Sequence, residues 1–312
     1  MPPTPAFPVP HLATGLLLAS AGSIAFSGKA IIVKLAYRHG VDAVTLIMYR
    51  MLFALPLFLA LAWWATYRQG GGGKAALTRK DWLGILGLGF TGYYLASFLD
   101  FWGLQYISAS LERLILYLNP TLVLVLGWVL YQRRITALQA LAMAVSYAGV
   151  LLVFGHEADF AGPNAVLGAA LVFGSAISYA IYLVYSGELV KRLGSMRLVG
   201  LATSVACVLC LLQFVLLRPL EAATSVAPEV IWLSVLNATL CTFAPVIMVM
   251  MAIERLGAGL AAQTGMIGPM STIAMGVLIL DEPFNGWIVA GTVLVVAGVF
   301  LVTRFGSASA AK

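Results

Sequence analysis

Ala148-Gly149-Val150-Leu151-Leu152-Val153 returns 149 residues later as Ala297-Gly298-Val299-Phe300-Leu301-Val302. At the same offset, and without a gap, Pro120 returns as Pro269. This repetition predicts that the chain is an internal duplication with a unit of about half its length. If each unit holds an odd number of membrane spans, the second copy is inverted relative to the first.

Hydrophobic residues make up 62% of the 312-residue chain, and charged residues make up only 10%. A soluble domain has about a quarter of its residues charged, so this chain cannot cover a water-facing surface. The composition therefore predicts an all-α integral membrane protein whose main solvent is the lipid bilayer. The net charge of +6 is scattered over short loops and forms no basic stripe, which argues against nucleic acid as a partner.

Ten apolar segments have the length of about 18–25 residues that a helix needs to cross a bilayer. The predicted spans are 12–36, 43–66, 82–105, 108–131, 137–154, 164–186, 196–217, 230–251, 258–280 and 286–303. The joints between them are short and carry glycine, proline, asparagine or charged residues, as helix ends do. The first span is too long for a signal-peptide core and no cleavage pattern follows it, so we expect it to stay in the protein.

Basic residues in the predicted loops indicate the orientation of the spans. With a cytoplasmic N-terminus, twelve Lys and Arg residues lie inside, while only Arg38 and Arg218 lie outside. This positive-inside bias predicts that both termini are cytoplasmic. The 149-residue offset maps spans four and five onto spans nine and ten, so the halves 12–154 and 164–303 hold five spans each. Five is odd, which predicts two inverted five-helix repeats.

Inverted repeats point to a carrier, because the two halves can exchange conformations around a site near the bilayer midplane. The loop charges agree with the inversion. The cytoplasmic Gln132-Arg133-Arg134 corresponds to Asp281-Glu282-Pro283 on the outside. The same backbone position thus carries a cationic pair in one copy and an acidic pair in the other.

Short motifs lie near the end of each half. They are Leu111-Glu112-Arg113-Leu114, Asn119-Pro120, Gly127 and Ala148-Gly149-Val150 in the first half, and Gly268-Pro269, Asp281-Glu282-Pro283 and Ala297-Gly298-Val299 in the second. In their order and spacing the chain resembles the EamA-type transporters of the drug/metabolite transporter superfamily over about residues 12–303. The resemblance implies export of amino acids, nucleosides or other small metabolites, and it is nearest to exporters of aromatic amino acids in the bacterial inner membrane.

That family has a glutamate before the final helix of each half. Glu282 matches this pattern, whereas Gln132-Arg133-Arg134 departs from it, so we assign the first-half loop no role. The resemblance implies a small-molecule substrate and no cofactor or metal. We expect a monomer.

Charges inside spans cost roughly 2.5–3.5 kcal/mol each, so they usually face partners or water. Here they are Lys29, Lys34, Arg50, Asp100, Glu112 and Arg113. We predict an outer gate in which Arg50 and Arg113 pair with Asp100 or Glu112 and separate when the exit path opens. A static packing network is the alternative.

Tyrosines and mid-span polar residues outline a predicted substrate cavity with large apolar area and hydroxyls at its edge. The candidates are Tyr94, Tyr117, Asn119, Ser178, Tyr179, Tyr182, Asn237 and Gln263. An aromatic belt at the membrane interface is the alternative for the tyrosines. Interhelical hydrogen bonding is the alternative for the polar residues.

Pro120 and Pro269 each lie about a dozen residues into their spans, where proline frees a backbone carbonyl and kinks a helix. We predict that these kinks act as hinges, with static bends packed against lipid as the alternative.

Cys207 and Cys210 form a C-x-x-C inside an apolar run and are expected to be small packing residues. The glycine-rich 70–73 stretch lacks the spacing of a phosphate loop, so it is expected to be a cytoplasmic linker.

Three other function classes, namely enzyme, channel and scaffold, have less support in the sequence than a carrier. An enzyme would need a catalytic constellation, but His11, His39 and His156 all lie at span ends or in loops. A channel would need a ring of pore-lining charges. A scaffold would need larger loops than these. The sequence leaves ion coupling open and favours a facilitator, because cations close to Asp100 and Glu112 oppose their protonation.

Overall fold

The computed structural model describes residues 9–68, 77–132, 135–158, 164–256, 260–261 and 264–309, except for the side chains of 9–11, 68, 158, 188 and 304–309. The regular structure of these residues is helical. Nine of the helices are long and apolar enough to cross a membrane, and a tenth apolar helix is shorter. In chain order they are α1 (Val9–Tyr37), α2 (Ala43–Arg68), α3 (Arg79–Gly103), α4 (Ala109–Tyr131), α5 (Ala137–Ala158), α6 (Ala165–Leu193), α7 (Ser195–Leu217), α8 (Pro228–Leu256), α9 (Ile267–Leu280) and α10 (Gly286–Ser309).

The helix ends follow local sequence signals. Thr78 and Asp81 form a reciprocal capping box at the start of α3, and Pro228 opens α8, where a missing N–H costs nothing. Observed and predicted ends agree within seven residues except at the start of α9. Its predicted span begins at 258, whereas the described helix begins at Ile267; residues 257–259 and 262–263 lie outside the described part of the chain.

Three helices are interrupted near their middles. A π-helical segment runs over Gly89–Leu95 in α3, and another over Thr239–Phe243 in α8. Inserting a residue into the helical ladder misaligns some carbonyls. The hydroxyls of Ser175 and Ser178 on α6 donate to the carbonyls of Ala96 and Thr91, at 2.7 Å in each case. Polar side chains of α6 therefore stabilise the irregular part of α3.

Helix α4 turns at Tyr117 and Leu118 and resumes with Asn119. Pro120 occupies the first turn of the resumed helix, where its lack of an N–H is tolerated. The break therefore lies just before the proline. Pro269 has the same place in α9, in the first turn after a turn at Gly265 and Met266.

Most of the helices pack in two sets of three. Bundle A consists of α1, α8 and α9, with α1 packed against the other two. Bundle B consists of α6, α3 and α4, with α6 packed against the other two. The remaining helices form the pairs α2–α7 and α5–α10. Shifting every helix number by five converts bundle A into bundle B and exchanges the members of each pair.

Small residues allow α5 and α10 to approach closely. A Cβ on Gly149 would lie 2.6 Å from the carbonyl oxygen of Gly291, and a Cβ on Gly298 would lie 2.6 Å from that of Ala142. These two contacts are equivalent under the 149-residue offset. Both helices therefore need a residue without bulk where they cross.

The outer surface of the bundle is apolar. Leu216 and Leu278 are each 81% exposed, and Trp63 is 71% exposed. A water-soluble protein rarely exposes such a continuous apolar surface, because hydrating it is unfavourable. This surface is suited to lipid.

Candidate functional site

The C-terminal ends of α1, α3, α5, α7 and α9 meet at one end of the molecule, which we call the odd-loop end. Arg38, after α1, donates to the carbonyl of Leu280 at the end of α9 at 2.8 Å. Arg218, after α7, pairs with Asp42 at 3.1 Å. The opposite end, where the even-numbered helices have their C-terminal ends, is called the even-loop end.

A buried charge cluster lies beneath the odd-loop end. The Lys29 Nζ of α1 lies 2.5 Å from Oδ2 of Asp100 on α3 and 3.0 Å from Oε1 of Glu112 on α4. The side chains of Asp100 and Glu112 are 4% and 1% exposed. One lysine of bundle A therefore holds two carboxylates of bundle B.

The two predicted arginines have other partners. Nε of Arg50 donates to Oγ1 of Thr242 at 3.1 Å, and its guanidinium lies 5.1 Å from the ring centre of Phe101. Arg113 lies against α9, since a Cβ on Gly268 would be 2.5 Å from its Nη2.

The prediction paired these arginines with Asp100 and Glu112, but the ion-pair partner of both acids in the structure is Lys29. The reason is geometric. The first helix packs across the α3–α4 connection, and Lys29 is on its inner face. The sequence identified Lys29 as a charge within a span but carried no signal of which helix faces it.

A second layer of contacts joins the bundles closer to the odd-loop end. Lys34 Nζ donates to the carbonyls of Leu104 at 3.2 Å and Ile107 at 2.9 Å. The hydroxyl of Tyr37 donates to the carbonyl of Phe101 at 2.5 Å. Both residues are in the last turns of α1, and the three carbonyls end α3 or belong to the α3–α4 connection.

Two glutamates complete this end by capping α4. Glu282, before α10, accepts from the backbone N–H of Ala109 at 2.6 Å and of Ser110 at 3.2 Å, and from the Ser110 hydroxyl at 2.6 Å. Glu157, at the end of α5, accepts from the N–H of Ser108 at 2.5 Å and from its hydroxyl at 2.8 Å. The Ser108 hydroxyl oxygen accepts from the N–H of Leu111 at 3.0 Å.

The first N–H groups of a helix have no partner within the helix. In α4 four successive N–H groups, from Ser108 to Leu111, are bound by side chains. The positive end of the helix dipole further stabilises the two carboxylates. The predicted motif at Glu282 therefore has a concrete partner, the start of α4. No sequence motif pointed to Glu157.

A polar cavity of about 540 Å³ opens at the odd-loop end. It is lined by Lys34, Tyr37, Arg38, Gln105, Tyr106, Ile107, Ser108, Glu157, Leu280, Asp281, Glu282 and Pro283. The groups that join the two bundles thus also form the walls of this cavity.

Asp42, in the loop between α1 and α2, has a lowered pKa. Burial raises the pKa of this carboxyl, but the hydroxyl and N–H of Thr45 donate to it, and Arg218 lies beside it. These hydrogen bonds and the guanidinium outweigh burial, so the ionised form is favoured. Asp42 thereby holds the start of α2 and ties the first loop to the end of α7.

At the even-loop end, Arg192 pairs with Asp81 at 2.6 Å. This contact joins α6 to α3, which are both members of bundle B. It therefore stabilises one bundle without tying it to the other.

The predicted cavity tyrosines fall into separate groups. Tyr182 is buried and lies 3.2 Å, hydroxyl to hydroxyl, from Tyr93. Tyr179 stacks on Tyr182 with ring centres 5.4 Å apart. Tyr94 is half-buried, and its ring lies 5.4 Å from that of Phe90. The structure thus brings Tyr179 and Tyr182 together at the α3–α6 contact, where Ser178 also lies.

The other predicted cavity residues lie elsewhere. Half-buried Tyr117 and Asn119 flank the break in α4, and the Asn119 amide donates to the carbonyl of Leu116 at 2.7 Å. Asn237, on α8, is buried. Within the described residues, neither amide atom of the Asn237 side chain has a hydrogen-bond partner. Gln263 lies outside the described part of the chain.

The sequence model of one family matches the chain twice. It is the EamA-like transporter family, and the matched residues are 13–155 and 166–304. Each match covers one of the two predicted halves.

Individual relatives of the chain are also named as transporters. The chain is 31% identical over 277 residues to the uncharacterized transporter YcbK of Bacillus subtilis (strain 168), covering 86% of each chain. It is 23% identical to an uncharacterized transporter of Archaeoglobus fulgidus, covering 93% of this chain and 97% of that protein. A solved crystal structure matches with a TM-score of 0.62 at 18% identity, covering 95% of this chain and 98% of the other, which supports the fold.

Proposed function

The chain belongs to the EamA-like transporter family, and we propose that it exports small amphipathic metabolites by alternating access between its two bundles. The family and the relatives are transporters and not enzymes. The preferred substrates under this proposal are amino acids with an aromatic or large apolar side chain. Nucleosides and cationic drugs in the same fold are the second candidate class.

The observation that carries the proposal is that Lys29, Lys34, Tyr37 and Glu282 all bridge bundles A and B at the odd-loop end. At the even-loop end, the Arg192–Asp81 pair stays within bundle B. Two rigid sets joined at one end can part there and close at the other. Such a motion would expose a midplane site to each side in turn.

The proposal includes ten spans arranged as two inverted five-helix repeats, residues 12–154 and 164–303. Several features recur at the 149-residue offset and support it. Gln132 and Asp281 both end their helices in the left-handed conformation, with φ of 53° and 60°. Their N–H groups donate to the carbonyls of Gly127 and Gly276. The π-helical segments in α3 and α8 are a further pair.

We place both termini in the cytoplasm and the protein in the bacterial inner membrane. The positive-inside bias of the loops supports this orientation, although Arg133 and Arg134 lie outside the described residues. The odd-loop end then faces outward. Its cross-bundle contacts favour assignment of this conformer as closed to the outside.

The substrate class rests on the tyrosines and on the family resemblance. Tyr94, Tyr117 and Tyr179 are each half-buried, so their rings keep apolar area that a ligand can cover. Asn119 and Asn237 carry amide atoms with unused hydrogen-bonding capacity within the described residues. An amphipathic molecule matches such a surface, because its apolar body covers ring faces while its polar groups meet amides.

Counterflow tests the proposal. Purified protein is reconstituted in liposomes preloaded with one unlabelled compound, and uptake of labelled L-phenylalanine is followed. The preloaded panel contains L-tryptophan, L-leucine, adenosine and a quaternary ammonium drug. We expect saturable uptake that preloaded aromatic amino acids accelerate. Acceleration by adenosine or the drug alone would favour the second class, and uptake equal to protein-free liposomes would contradict the proposal.

Two variants test the gate within the same assay. Arg50→Ala and Glu112→Gln are compared with the wild type at matched protein levels. Both change side chains that hold helices of different sets together, so we expect altered exchange rates. Glu229→Gln, at the exposed start of α8, serves as the matched control. Wild-type rates in both gate variants would contradict a gating role.

A further inference from the structure

We propose that Asp100 and Glu112 form a proton-binding site at which Lys29 and a proton alternate, so that each transport cycle exchanges one proton for one substrate molecule. The inference rests on the proposed function, because it needs the two bundles to separate. It assigns the coupling ion, which the fold alone leaves open.

The geometry of the cluster is that of two carboxylates sharing one cation. Asp100 and Glu112 come from different helices of bundle B, yet both touch the same nitrogen of Lys29. One ammonium leaves acceptors unused: within the described residues, Oδ1 of Asp100 and Oε2 of Glu112 are buried without a hydrogen-bond donor. Lys29 also meets Glu112 at a longer distance than Asp100, 3.0 Å against 2.5 Å.

Titratable and charged groups of three helices face the pair: Lys29 and Tyr37 of α1, Arg50 of α2 and Arg113 of α4. Around these lie Cys207 and Cys210 of α7 and Cys241 of α8, which are neighbours of Arg50, and Tyr117 of α4, which is a neighbour of Arg113. Arg50 is engaged by Thr242 and the Phe101 ring. Arg113 lies against α9. Lys29 is therefore the cation in direct contact with the carboxylate oxygens.

Separation of the bundles changes the charge balance at this pair. Lys29 leaves with bundle A, while Asp100 and Glu112 remain side by side in bundle B. Two neighbouring buried carboxylates without a cation between them do not both stay ionised, because like charges repel and burial disfavours charge. One of them takes a proton, which then also donates a hydrogen bond to the other.

The return of α1 reverses this step. The Lys29 ammonium pairs again with both carboxylates, and the O–H bond breaks as the proton leaves toward the open even-loop end. The proton enters from the odd-loop side and leaves on the even-loop side. Substrate moves in the opposite direction in the same cycle.

Infrared spectroscopy of the purified protein tests the site without any substrate. Lys29→Gln removes the competing cation, so we expect a protonated-carboxyl C=O band at neutral pH that the wild type lacks. Combining it with Glu112→Gln or Asp100→Asn should abolish the band. Lys29→Arg should resemble the wild type, and Lys34→Gln is the matched control. A Lys29→Gln spectrum without the band would overturn the proposal.

A transport measurement on the wild-type protein tests the coupling and needs no variant to fold. Liposomes with an acidic interior and a clamped membrane potential are given labelled L-phenylalanine. One-for-one exchange predicts inward accumulation of about tenfold per unit of pH difference, because a tenfold ratio is equivalent to about 1.4 kcal/mol. Saturable uptake that stops at equal concentrations would overturn the coupling and leave the proposed function intact. Absence of saturable uptake would count against the proposed function itself.

Discussion

Glu282→Ala is expected to release the start of α4 and weaken the odd-loop end. The substitution removes a carboxylate that accepts three hydrogen bonds, from Ala109 N–H, Ser110 N–H and the Ser110 hydroxyl. A hydrogen bond to a charged group contributes about 1.5–3 kcal/mol, and loss of a helix cap costs about 0.5–2 kcal/mol. Glu282 is half-buried, and water replaces part of what is lost. The net cost is therefore about 2–3 kcal/mol.

Amide hydrogen exchange measures this cost directly, because two of the three donors are backbone N–H groups. Since 1.4 kcal/mol is a factor of ten, exchange at Ala109 and Ser110 should become roughly 30- to 150-fold faster. The capping box of Thr78 and Asp81 serves as an internal reference and should not change. Asp281→Asn removes a carboxylate from the same loop and should leave the rates unaltered. Unchanged exchange in Glu282→Ala, or equal acceleration at both caps, would refute the assignment.

Two further predictions concern stability, measured by thermal unfolding in detergent. Gly149→Ala should destabilise the α5–α10 contact by about 1–3 kcal/mol, because its Cβ would lie 2.6 Å from the Gly291 oxygen. Gly155→Ala, in open space on the same helix, should be neutral; equal effects would contradict the packing argument. The lowered pKa of Asp42 means that its contribution is present above its unfolded pKa and is lost as pH falls through the folded one. Wild-type stability should therefore fall more than that of Asp42→Asn on acidification, and parallel curves would count against the Asp42–Arg218 pair.

The helices could be predicted from the sequence because hydropathy and end signals are local. Nine of the described helices match predicted spans, and the αL ends at Gln132 and Asp281 fall on the duplicated loop. The positions at which the helices are interrupted were harder to predict from the sequence. Pro120 and Pro269 were identified, but the breaks lie before them, at Leu118 and Met266.

The π-helical segment of α3 carried no sequence signal, because carbonyls in and next to it accept hydrogen bonds from side chains of another helix, α6. Ser178 illustrates this, since it was predicted at the edge of the cavity whereas its hydroxyl donates to the carbonyl of Thr91 in α3.

The candidate site was predicted by residue type but not by pairing. Asp100 and Glu112 were singled out because charges within a membrane need partners. Choosing Lys29 over Arg50 as their partner requires knowing that α1 crosses the α3–α4 connection, which is a long-range fact. Glu157 shows the same limit: its role depends on Ser108, which is 49 residues away in the chain.

Alternating access requires reciprocal motion of the two ends, which double electron–electron resonance can measure. One spin-label pair, at His39 and Gln105, spans the bundles at the odd-loop end. A second pair, at Lys80 and Glu254, spans them at the even-loop end. All four positions are exposed.

The buried native cysteines are first replaced by alanine; they are Cys207, Cys210 and Cys241. In Glu282→Ala, we expect a population in which the His39–Gln105 distance lengthens while the Lys80–Glu254 distance shortens. A longer odd-loop distance with an unchanged or longer even-loop distance would contradict alternating access between the two bundles.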